Sequence, residues 1–110
     1  MVRARPVRIE TLTERADLVI RRMVLEPGEP MYWHTDACHR FSVVVRGSRL
    51  GIGYRDTGEA EKIDVSPGLA GWDKPTDRVH RAVNLGADVY EEVVTFYRAD
   101  SNVDPQPGPE

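Results

Sequence analysis

The chain has 110 residues and a mass of 12.4 kDa, which suits one domain with a thin core and leaves little room for a second. Its 15 basic and 18 acidic side chains give a net charge of -3 and a pI near 5.6, which argues against a nucleic-acid binder resting on a broad basic face. Hydrophobic residues at 40% and charged residues at 30% exclude wholesale disorder, and no apolar run approaches the roughly 18 residues that span a bilayer.

Cys38 is the single cysteine, so neither an intrachain disulfide nor a cysteine-rich zinc site can form within one chain. The opening Met1-Val2-Arg3-Ala4-Arg5-Pro6 lacks the apolar block of a secretory signal. The expected location is the cytoplasm, with neither membrane nor nucleic acid as partner.

Residues 1–17 read as an amino-terminal segment, either an edge strand or, from Thr11 to Ala16, a single helical turn capped by Thr11 or Thr13. Turn signals then recur at Pro27-Gly28, Arg46-Gly47-Ser48, Asp56-Thr57-Gly58, Ser66-Pro67-Gly68 and Asn84-Leu85-Gly86. Helices of ordinary length do not fit between such stops. Short runs rich in Val, Ile, Phe and Tyr do, and predict strands at Leu18 to Leu25, Met31 to Thr35, Phe41 to Arg46, Arg49 to Tyr54, Glu61 to Val65, Val79 to Val83 and Val89 to Tyr97. Asp56-Thr57-Gly58 marks a hairpin tip. Strands so spaced over residues 18–98 predict an all-β sandwich or barrel. Residues 99–110 are acidic and Pro-rich, without a basic side chain, and predict a flexible tail.

All 3 histidines, His34, His39 and His80, fall at strand ends or in the turns beside them. In an extended strand, residues two apart share a face. His34 and Asp36 therefore aim together at the interior while Trp33 and Thr35 face away. After a reversal near Ala37 and Cys38, Arg40 enters on the same side as Ser42 and Val44, with Phe41, Val43 and Val45 opposite. His80 arrives from a later strand.

Two windows have a recognisable layout: Gly28, His34, Asp36, Arg40 and Gly47 in the first, then Pro75, Asp77, His80 and Asn84 in the second. The pattern resembles the two signature motifs of the cupin superfamily, with agreement at Gly28, His34, Gly47, Pro75, His80 and Asn84 and a Pro67-Gly68 turn ahead of the second. The resemblance implies an antiparallel jelly-roll β-barrel with its site in the mouth, paired into a homodimer. The family spans oxygenases, isomerases, lyases and binding domains, so fold alone selects no activity. Where metal-binding cupins carry a second histidine and a glutamate, this chain has Asp36 and Arg40. The remaining His34, Asp36 and His80 are two imidazoles and a carboxylate, a set suited to Fe, Mn, Ni or Zn with open coordination positions.

Arg40 supplies no lone pair and repels a nearby cation. Either it holds the carboxylate of an anionic substrate, or it pairs with Asp36 and the barrel holds no metal. With one residue of slack in the loop, His39 would replace it as a ligand. Tyr32 and Trp72 are further candidates for contact with a small-molecule substrate, set against a packing role. Cys38 is either a soft ligand or a small buried hydrophobe. Three functions are thus open: a metal-dependent enzyme acting on a small organic acid or oxygenated metabolite, a metal-free module that binds a small ligand, or a structural or regulatory role through the dimer face.

Overall fold

Short strands separated by glycine turns leave each strand too few residues to bury a face alone, and the chain resolves this by closing two sheets on each other. The computed structural model describes residues 8–109. Among them there are nine strands: β1 (Arg8–Arg15), β2 (Leu18–Leu25), β3 (His34–Asp36), β4 (His39–Arg46), β5 (Arg49–Tyr54), β6 (Ala60–Asp64), β7 (Ala70–Asp73), β8 (Thr76–Asn84) and β9 (Tyr90–Tyr97). One sheet has the order β1-β2-β9-β4-β7 and the other β3-β8-β5-β6. Every pairing is antiparallel. No helix of the described residues is long and apolar enough to cross a membrane.

The inner faces carry the core. Met23, Leu25, Met31, Val44, Leu50, Val65, Ala82 and Tyr90 form one buried cluster. Cys38, Val94 and Phe96 form a second, with Val103 packed against it. Registers explain the sharing: Met23 lies across from Glu92 and Leu25 from Tyr90, while Arg40 lies across from Phe96 and Val44 from Glu92. Gly47 turns β4 into β5 at φ 138°, and a Cβ there would meet the Tyr90 ring at 2.7 Å, so only glycine permits this approach. Asn84 ties the end of β8. It is fully buried, donates to the carbonyls of Leu25 and Asp88 at 3.0 and 2.8 Å, and accepts from the Gly86 N–H at 2.9 Å.

The sequence differs from the structure in two segments and omits one strand. Thr11 to Arg15 belongs to β1 and makes no helical turn, because β2 offers it a row of backbone partners from Leu18 to Val24. β7 has no strand signal in its Ala-Gly-Trp-Asp sequence and exists by pairing with Arg40 to Val43 of β4. Beyond β9 the structure has a docked segment where composition predicts a flexible tail. The Ala37 and Thr35 N–H groups donate to the carbonyls of Pro105 and Pro107 at 2.9 and 3.0 Å, and Pro105 is fully buried. Arg98, itself buried, donates to the carbonyls of Val103 and of Arg15. Backbone pairing and the burial of Val103 and Pro105 offset the ordering entropy that composition alone leaves unopposed. Residues 1–7 of the amino-terminal segment lie outside the described residues, as does Glu110.

Candidate metal centre in the barrel

His34 and Asp36 project from the same face of β3, and His80 stands across from His34 on β8. All three are buried, and the His34 and His80 ring centroids are 4.5 Å apart. The β3–β8 register slips between His34 and Asp36, an irregularity of the kind that re-aims side chains at functional sites. One ligand atom from each of the three lies within 4.8 Å of the others.

Both imidazoles are oriented from behind. The His34 Nδ1–H donates to the Tyr32 carbonyl at 2.9 Å and the His80 Nδ1–H to the Arg78 carbonyl at 2.7 Å. Each Nε2 therefore faces the centre, the arrangement by which backbone carbonyls prepare histidines for coordination. His80 Nε2 is 2.7 Å from Asp36 Oδ2, and His34 Nε2 is 3.6 Å from Asp36 Oδ1.

Charge is unevenly spread over the group. Burial pushes His34 below the ordinary imidazole range, so it is neutral at pH 7, whereas contact with Asp36 raises His80. Burial works to raise Asp36, but His80, Arg40 and His34 together outweigh it and hold the carboxyl below the usual range. Arg40 Nη1 is 2.9 Å from Asp36 Oδ2. That contact and the one from His80 are close ion pairs, and neither Asp36 Oδ2 nor Arg40 Nη1 has an aligned hydrogen bond. Two imidazole Nε2 atoms and one carboxylate are a donor set that fits a divalent cation, which would take the place of the proton between His80 Nε2 and Asp36 Oδ2.

The group opens into a cavity of about 710 Å³ between the sheets. Arg40, Ser42 and Val44 line it, as the strand alternation predicts, and Met31, Leu50 and Ile52 supply an apolar wall. His39 is exposed on the other face of β4 and does not replace Arg40. Trp72, expected at the substrate, is not there. Gly71 and Asp73 line the cavity, so the pleat turns the residue between them outward. Trp72 is 64% exposed and stacks on Tyr97 and Phe41 outside the barrel. Tyr32 is likewise off the cavity wall. Its ring touches that of His34 and its hydroxyl donates to the Gln106 carbonyl at 3.1 Å, so it braces the docked segment. Cys38 is a buried core residue whose thiol burial pushes up in pKa, the inert form of the side chain.

Among the cavity residues that escaped the sequence reading are Glu92 and Gln106. Glu92 faces inward from β9, accepts a 2.6 Å hydrogen bond from the Tyr90 hydroxyl, and is raised in pKa by burial. Its signal was present, a carboxylate on the same strand face as Tyr90, Val94 and Phe96. Gln106 reaches the centre from the docked segment, its Nε2 3.4 Å from both His34 Nε2 and Asp36 Oδ1. Nothing in the local sequence announces it.

No family profile matches the sequence, and no curated protein does either. Solved structures do match. A cupin domain from Bordetella pertussis superposes with a TM-score of 0.77 at 11% identity, over 90% of this chain and 100% of its own. An RmlC-like cupin with a double-stranded β-helix fold from Methanocaldococcus jannaschii gives 0.65 at 20% identity, over 86% and 82%. A chain from the crystal structures of DMSP lyases gives 0.59 at 18% identity, over 84% of this chain and 44% of its own. With its all-antiparallel strands in two facing sheets and these superpositions, the chain has the cupin fold.

Proposed function

We propose that this protein is a metal-dependent cupin enzyme in which His34, Asp36 and His80 hold a divalent cation and Arg40 receives the carboxylate of a small organic acid. The observation that carries the reading is the convergence of two backbone-oriented Nε2 atoms and one carboxylate within 4.8 Å in a buried site. A bound divalent ion supplies Lewis-acid polarisation of a ligand oxygen. The chain's own residues do the rest. The guanidinium of Arg40 lies beside the carboxylate of Asp36 on the cavity wall, where an incoming anion shares it through paired N–H donors. The apolar wall of Met31, Leu50 and Ile52 excludes water from the remainder of the substrate. Glu92, whose carboxyl burial raises in pKa, faces the same cavity as a candidate proton donor. That a DMSP lyase is among the superposed structures agrees with an enzymatic use of this fold.

A second reading rests on the 2.9 Å approach of Arg40 to Asp36. There the ion pair is permanent, His80 carries a proton against the same carboxylate, and the barrel binds a small ligand without metal. Elemental analysis of protein purified without an affinity tag separates the two. Near-stoichiometric Fe, Mn, Ni or Zn, lost in His34→Ala and in His80→Ala, is the expected result. Metal-free protein whose thermal stability ignores both chelator and added cation would overturn the first reading in favour of the second.

A further inference from the structure

The segment after β9 runs alongside β3 and offers it backbone carbonyls. The Thr35 and Ala37 N–H groups on either side of Asp36 donate to Pro107 and Pro105. Proline returns no N–H, so the pairing uses carbonyls alone, and the fixed φ of both rings stiffens the residue between them. That residue is Gln106. Its backbone carbonyl is taken by the Tyr32 hydroxyl at 3.1 Å, while its side chain lines the cavity. The amide nitrogen stands 3.4 Å from His34 Nε2 and 3.4 Å from Asp36 Oδ1.

These two contacts are long for hydrogen bonds, so little is lost when the amide turns. An amide is also close to symmetrical in shape, and a half-turn about its last bond exchanges the donor for the acceptor oxygen. With both His34 and Asp36 directed at a cation, the group that suits the remaining position is the oxygen. Arg40, on β4 of the facing sheet, has no lone pair to give. We infer that Gln106 is the fourth protein ligand of the centre, turning its amide oxygen to the cation held by His34, Asp36 and His80, so that the docked segment completes the site. This rests on the cation reading above.

The test is titration calorimetry with Mn²⁺, together with water-proton relaxation of the Mn²⁺ complex, on the full chain and on Gln106→Ala, Gln106→Glu and His34→Ala. Loss of the amide is expected to weaken Mn²⁺ about tenfold, the lower end of what site-supporting groups are worth, and to raise the relaxation enhancement because a water takes the vacated position. Gln106→Glu, which keeps an oxygen at that place, is expected to restore the affinity and the low relaxation of the parent. Because Pro105 and Val103 anchor the segment independently, thermal unfolding of Gln106→Ala is expected to match the parent in chelator. If the parent and Gln106→Ala bind Mn²⁺ with equal affinity and equal relaxation, Gln106 is no ligand, although the cation site stands. If the parent binds Mn²⁺ no better than His34→Ala does, the cation reading falls and the role of Gln106 falls with it.

Discussion

Arg40→Met removes a charge while keeping an apolar stem of similar reach, and its two effects have opposite signs. In the parent, Arg40 Nη1 lies 2.9 Å from Asp36 Oδ2, with side-chain exposures of 19% and 1%. Unit charges about 4 Å apart at an effective dielectric near 20 attract by about 4 kcal/mol, and desolvation takes back much of it. Removing one partner of a buried pair costs about 3–5 kcal/mol when the survivor has no other. Here His80 Nε2 remains 2.7 Å from the same oxygen, so the expected loss in chelator-treated protein is about 2 kcal/mol. It is read as a lower urea midpoint at unchanged slope. Cation binding moves the other way. With the guanidinium gone, Asp36 serves the metal alone, and calorimetric titration is expected to show Mn²⁺ bound at least about tenfold more tightly, a gain of roughly 1.4 kcal/mol that lies well inside the Coulomb estimate. A variant that loses stability on schedule yet binds Mn²⁺ no better than the parent would refute competition between Arg40 and a cation for Asp36.

Two further substitutions test the cavity and its frame. A carboxyl whose folded pKa lies above its unfolded value binds its proton more tightly when folded, so Glu92 costs the protein stability as pH rises from about 4.5 through the raised folded value. Glu92→Gln has no such cost, and urea unfolding across that window is expected to show the variant gaining on the parent with pH. A stability difference that stays level from pH 4.5 to 8 would mean Glu92 is not held protonated. Asn84→Ala removes three hydrogen bonds at a fully buried turn, worth about 3 kcal/mol in sum. Scanning calorimetry is expected to show a Tm lower by more than about 10 °C, and a shift within a few degrees would mean the turn is held by the backbone alone.

The fold was legible wherever strand alternation meets a buried face. His34 and Asp36 point inward while Trp33 turns out under Arg81, and Arg40, Ser42 and Val44 share the cavity wall, because a one-residue slip would exchange core for solvent along the whole strand. Elements that bury little left no such trace. Most of β1 and all of β7 are exposed, and each is a strand because a neighbour offers it a ladder. Trp72 was misplaced for the same reason, since without β7 in view there was no pleat to assign its side.

The site followed a different logic, in which substitutions are read against each other. At the positions that the cupin resemblance assigns to an imidazole and a glutamate, this chain has Asp36 and Arg40, so the carboxylate has moved four residues along the chain and a cation stands in its former place. That exchange preserves the number of carboxylates, removes one nitrogen ligand and adds a positive charge beside the site. It should weaken cation binding and strengthen anion binding in one step. The docked segment then brings an uncharged amide to 3.4 Å from His34 Nε2 and Asp36 Oδ1. An amide adds no charge to the centre, can offer an oxygen to a cation, and can turn to donate when none is held. Positions 40 and 106 thus meet at one carboxylate, that of Asp36, although local sequence patterns give no reason to consider them together.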